Sequence, residues 1–133
     1  TILLRGKELV PSNITSMLGI LPSRSFRRGD KRTLSKTWPH GLWSLTSQNV
    51  VLSKELSDHI AWILSQIKPV SPQFQQLVAE NQFAAELSCF LETVNGFGGI
   101  TIDNHLAQQI VSLGLEIKID IYTRWPCVIS SGK

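Results

Sequence analysis

Apolar and polar positions follow two periods along this chain, two residues in some stretches and close to four in others. The cleanest two-residue period runs from Leu115 to Tyr122. Leu115, Ile117, Ile119 and Ile121 alternate there with Glu116, Lys118, Asp120 and Tyr122. That alternation predicts a strand with one dry face and one wet or partner-covered face. Phe83 to Val94 repeats it, with Ala85, Leu87, Cys89 and Leu91 on one face. Glu86, Ser88 and Glu92 take the other, interrupted by Phe90. Ile2–Leu4 and Gly41–Ser47 read as two further strands, the second placing Trp43 and Leu45 on one face. Half-wet strands favour an antiparallel or mixed sheet over one covered on both sides.

The longer period predicts helices. Leu56, Ile60, Ile63, Leu64 and Ile67 share one face of a helix over Ser53–Gln66, with Trp62 flanking the stripe. Pro69 and Pro72 break the chain before a shorter helix over Gln73–Glu80, which carries Phe74, Leu77 and Val78. A short helix from Pro11 to Leu18 opens on proline, with Ser12 or Asn13 as caps and Gly19 as its stop. Asp103 caps a last helix holding Leu106, Ile110, Val111 and Leu113, which Gly114 ends. Asn95-Gly96 and Gly98-Gly99 mark a turn. The chain ends rhyme: Ser12-Asn13 to Leu18-Gly19-Ile20 parallels Asp103-Asn104 to Leu113-Gly114-Leu115. The expected architecture is a single α+β domain over 1–133, with a four-stranded, mostly antiparallel or mixed sheet and helices on one face. Two βαβ-like halves joined by a helical linker make it a ferredoxin-like variant.

Composition fits this picture. The chain has 133 residues, 42% apolar and 17% charged, as in ordinary globular domains. No apolar run approaches the roughly 18 residues that span a bilayer. No signal peptide is visible. Cys89 and Cys127 read as reduced thiols. A cytoplasmic domain without a membrane role is therefore expected. Charge is uneven beneath a net +3: residues 1–40 carry eight basic and two acidic groups, and the remainder carries five basic and eight acidic.

The basic excess concentrates in residues 21–40, which read as a long loop containing Pro22, Gly29, Asp30 and Pro39. Arg24, Arg27, Arg28, Lys31 and Arg32 are followed closely by Trp38, His40 and Trp43. Arginine forks suit phosphate or carboxylate oxygens, and aromatic rings stack on bases. The plain alternative is a solvated loop whose charges pair with the acidic later half, with the tryptophans in the core. Glu86, Glu92, Glu116 and Asp120, with Lys118 and Tyr122, line the wet sheet face. That face suits a solvated surface first, then acid–base or metal chemistry. It also suits a pairing surface for another chain, a second copy included, helped by Phe90 and Tyr122. His40, His59 and His105 lack ligand spacing, and no phosphate-cradling loop, nucleophile elbow, HExxH or CxxC is present. No metal or cofactor is expected.

These stretches together resemble a bacterial family known as domain of unknown function 4279. The matching residues are Pro11-Ser12-Asn13-Ile14-Thr15 with Leu18-Gly19-Ile20, and Pro22-Ser23-Arg24-Ser25-Phe26 with Gly29-Asp30. Gly41-Leu42-Trp43-Ser44-Leu45, Asp58-His59, Leu113-Gly114-Leu115 and Asp120-Ile121-Tyr122 continue the match. Trp125-Pro126-Cys127 and the tail lie beyond it. The resemblance implies an α+β fold and carries no activity with it. The expected function is a non-enzymatic protein-binding module, through Arg24, Arg27, Arg28, Asp30, Arg32, Trp38, Trp43 and Tyr122. The alternatives are nucleic-acid binding through residues 24–36, or a small enzyme using Asp30, Asp58 or His59.

Overall fold

A computed structural model describes residues 1–94 and 99–124. The predicted turn around Asn95-Gly96 and the tail from Trp125, with Cys127, lie outside the described residues. Five strands are present: β1 (Ile2–Gly6), β2 (Arg24–Phe26), β3 (Gly41–Leu45), β4 (Ala84–Val94) and β5 (Glu116–Arg124). The α-helices are α1 (Pro11–Leu18), α2 (Leu56–Ile67), α3 (Ser71–Asn81) and α4 (Asn104–Ser112). A 3-10 turn, Lys68–Val70, joins α2 to α3.

The sheet order is β2-β3-β1-β4-β5. β3 pairs antiparallel with both β1 and β2, β1 pairs antiparallel with β4, and β4 pairs parallel with β5. The fold is thus α+β with a mixed sheet, and it has five strands where the pattern predicted four. The extra strand is β2, inside the stretch read as a long loop. Three residues, Arg24-Ser25-Phe26, are too few and too polar to carry a period of their own. They hold as a strand because β3 offers them an open edge. β1, α1 and β2 form one strand–helix–strand unit with β3 lying between its strands. β4, α4 and β5 form a second unit with adjacent parallel strands.

One core lies between the helices and one face of the sheet. Ile2, Leu4, Trp43, Leu45, Ala85 and Leu87 supply the sheet side. Ile14, Ile60, Ile63, Phe74, Leu77 and Ile110 reach it from the four helices. Trp43 is fully buried, and its Nε1 donates to Thr15 Oγ1 on α1 at 3.2 Å. Burial of the indole therefore leaves its polar edge satisfied. Gly41 lies so close to the loop before α1 that a Cβ would strike the Leu9 carbonyl oxygen.

Helix ends follow the predicted chemistry in part. Asp103 Oδ1 accepts from the Leu106 amide at 2.8 Å, and Gly19 closes α1 in the left-handed region at φ 68°. Ser12 and Asn13 do not cap α1. The helix starts at Pro11 with Val10 at the cap position, so both residues already sit in its first turn. Val111 is 76% exposed, because Leu106, Ile110 and Leu113 share the inward face and Val111 follows Ile110 around the helix.

The dry face predicted for β5 is only half dry. Leu115 is buried and Ile119 packs in part on the core, but Ile117 and Ile121 are 42% and 62% exposed. Ile117, Ile119 and Ile121 point to the helix side, in register with Leu87, Cys89 and Leu91. β5 is the outermost strand, and among the described residues the helix layer ends before covering it.

Ile110→Ala is expected to cost about 2–5 kcal/mol, whereas Val111→Ser stays within about 0.5 kcal/mol; urea midpoints of the two variants check the difference. Gly41→Ala is expected to cost about 1–3 kcal/mol by overpacking, read as a lowered melting temperature.

Candidate functional site

The basic segment folds back on itself as a small hairpin. Gly29 donates to the Trp38 carbonyl and Trp38 donates to the Asp30 carbonyl, both at 2.9 Å. Lys31 bridges Thr37, and Arg32 donates to the Lys36 carbonyl at 2.9 Å. Gly29 turns the chain at φ 90°, a conformation that other residues rarely adopt. Asp30 Oδ2 accepts from the Arg27 amide at 2.8 Å, so its carboxylate serves the turn.

This hairpin fixes Trp38 against β2. The Trp38 ring stacks on Phe26 with centroids 3.9 Å apart and an interplanar angle of 8°. His40 continues the stack 6.3 Å from Phe26, and its buried Nδ1 has no hydrogen-bond partner. Two guanidinium groups lie on the same rings. Arg32 sits 4.7 Å from the Trp38 centroid, and Arg24 sits 5.4 Å from Trp38 and 5.5 Å from Phe26. Arginine on an aromatic face keeps its N–H edges free while its stem is held. Among the described residues, neither Arg24 nor Arg32 has a carboxylate within ion-pair distance. The ion pairs among the described residues are Arg28–Glu8 at 3.0 Å and Arg124–Glu92 at 2.6 Å. The expected alternative, pairing of the loop with the acidic later half, is thus absent among the described residues.

Arg24, Arg32 and Trp38 are therefore gathered on one platform, with Phe26 beneath them. Arg27 and Arg28 flank it on the hairpin, and Arg28 is committed to Glu8. Trp43 faces the opposite side of the sheet, inside the core. Tyr122 stands far across the sheet on β5, stacked on Phe90 at 4.7 Å, and both rings are exposed. Phe26 was missed as a platform residue. Its signal was the alternation Arg24-Ser25-Phe26, which places Arg24 and Phe26 on one side.

A second feature is a cavity of about 690 Å³ beside the end of β1, with Thr1, Ser47, His59, Ile63, Cys89 and Glu92 in its wall. His59 Nε2 donates to the Ser53 carbonyl at 2.6 Å. A carbonyl oxygen only accepts, so Nδ1 is the free lone pair, and it accepts from Ser47 Oγ at 2.6 Å. Ser53 Oγ in turn donates to Asp58 Oδ2 at 2.6 Å. A serine hydroxyl on an imidazole is the first half of a nucleophilic device. Here Ser47 is buried and both ring nitrogens are engaged, so the pair staples the loop before α2 to that helix. The Cys89 thiol nearby is pushed up from its ordinary value by burial, and burial pushes the Thr1 amino group down. Among the described residues no group of three or more His, Cys, Asp or Glu side chains is placed to hold a metal. No helix there is long and apolar enough to cross a membrane.

Fold and site together define an α+β domain with a five-stranded mixed sheet and an exposed cationic platform on its edge hairpin. The chain belongs to the family described as Domain of unknown function (DUF4279), whose model matches residues 1–124. No curated protein and no solved structure matches the chain.

Ser47→Ala leaves His59 Nδ1 without its donor and is expected to cost about 1–3 kcal/mol. The denaturation midpoint in urea reads this loss, and an unchanged midpoint removes the staple from the account of stability.

Proposed function

We propose that this domain is a non-enzymatic protein-binding module of the bacterial cytoplasm, and that it takes a partner's carboxylates on the Arg24–Arg32–Trp38 platform. One observation carries this reading: two exposed guanidinium groups are held on one indole and have no acidic partner among the described residues. Their stems are ordered in advance, so binding costs less side-chain entropy than it would for free arginines. Their N–H forks match the two oxygens of a carboxylate.

Protein is favoured over single-stranded nucleic acid on two grounds. The Phe26 and Trp38 rings already use their faces on each other and on arginine, so an incoming base gains little stacking. Glu86, Glu116 and Asp120 lie farther along the same sheet face, where they repel a uniformly anionic phosphate chain but admit a protein that presents cations there beside its carboxylates.

Fluorescence anisotropy with a labelled oligoglutamate peptide and a labelled single-stranded oligonucleotide of equal charge tests the reading. The peptide is expected to bind more tightly, and the pair Arg24→Ala and Arg32→Ala is expected to weaken it about tenfold or more. Peptide binding indifferent to both substitutions overturns the platform. Tighter oligonucleotide binding with a steep salt dependence transfers the platform to nucleic acid.

A further inference from the structure

The sheet face turned away from the helices carries opposite charges on its two flanks, and the strand register aligns them in one row. Arg24 pairs with Ser44, Ser44 with Leu3, Leu3 with Glu86, and Glu86 with Glu116. These five positions cross all five strands at one height, from β2 to β5, and all five lie on the outer face. The row reads cation, hydroxyl, leucine, carboxylate, carboxylate. Leu3 stands on β1, the central strand.

Each flank is frustrated by itself. Glu86 and Glu116 are side by side in the parallel ladder with no cation in ion-pair range among the described residues. Like charges directly opposite each other in a sheet are destabilising. Arg24 and Arg32 share one indole on the other flank, equally without a counter-charge.

From this register we infer that the partner of the platform is a second copy of the same chain, docked face to face about a twofold axis running along β1. This deepens the binding-module reading and rests on it. Such an axis exchanges left and right across the sheet and keeps the height along the strands. It sets Arg24 of each copy over Glu116 of the other, Ser44 over Glu86, and Leu3 over Leu3. The Arg24–Glu116 and Ser44–Glu86 pairs each occur twice, and Leu3, on the axis, meets its own copy once. Two sheets packed in this way keep their strands roughly aligned, about 10 Å apart.

Shape agrees with charge. The hairpin raises the flank above Phe26 by the thickness of the Trp38 ring. In the next row, Phe26 pairs with Leu42, Leu42 with Arg5, and Arg5 with Ala84. Beyond Ala84 that row has no β5 partner, since β5 begins at Glu116. The twofold brings each raised flank over this corner of the other copy, where Gly114 and Leu115 lead into β5. It also sets the exposed Arg5 of each copy over Arg5 of the other, a like-charge contact that the Arg24–Glu116 pairs must outweigh.

The symmetry makes a demanding test available. Reversing the basic flank (Arg24→Glu with Arg32→Glu) leaves a face acidic on both sides. Reversing the acidic flank (Glu86→Lys with Glu116→Lys) leaves one basic on both sides. Sedimentation equilibrium of the wild-type chain is expected to give a dimer that weakens as salt rises. Each reversed variant alone is expected to be monomeric, and an equimolar mixture of the two to form a one-to-one heterodimer. Rescue in the mixture also establishes that both variants are folded. A wild-type chain that stays monomeric overturns the inference, and so does a mixture that fails to associate while both variants keep the wild-type circular dichroism spectrum. Oligoglutamate binding separates the two levels. A monomer that still binds the peptide through Arg24 and Arg32 keeps the platform and loses only the second copy. A monomer that binds no peptide removes both.

Discussion

The indole of Trp43 is the contact on which the rest of the arrangement depends. It is fully buried on β3, and its one polar atom is satisfied by Thr15 on α1. That contact fixes which side of β3 faces the helices. Once Trp43 points inward, Leu42 and Ser44 must point outward, because side chains alternate along a strand. β2 then adds to the free edge of β3 with Ser25 opposite Trp43, so Arg24 and Phe26 are turned to the outer face. The cationic platform exists because a tryptophan one strand away is in the core.

The platform is ordered by stacking and by backbone hydrogen bonds. Trp38 is clamped by Gly29 and Asp30, and its ring covers Phe26. The two arginines are then held by weak forces, each cation–π contact contributing about 0.5–1 kcal/mol at an exposed site. Together these forces restrain groups that would otherwise move freely in water. The opposite flank has no such overlay among the described residues, and there Glu86 and Glu116 stand open beside Lys118 and Asp120. Water solvates both ends of this face, and charge complementarity selects which partner can approach it.

Legibility in the sequence varied with the origin of each feature. β4, α2 and the Asp103 cap were plain, because period and capping are local. β2 was invisible as a strand, since three residues have no measurable period and their conformation comes from β3. The exposure of Ile117 and Ile121 could not be read from alternation either. Alternation assigns a face, and only the extent of the helix layer determines whether that face is covered. At the candidate site, the crowding of arginines near Trp38 was visible along the chain. That Trp38 joins them while Trp43 leaves for the core was not, because the two rings are separated by the sheet and not by sequence distance. The Ser47–His59 staple gave no sequence signal beyond the two residue types.

By itself the sequence determined the helices, four of the strands in outline, the unequal charge of the two parts of the chain and the family. These depend on neighbours within a turn of helix or a few residues of strand, and on a pattern of residues that stays legible along the chain. Tertiary structure alone decided the strand order, the fifth strand, the opposite fates of Trp38 and Trp43, and the single row from Arg24 to Glu116. Each of these is a relation between residues far apart in the chain, set by which edges and faces remain open once the core has closed, and no local period encodes it.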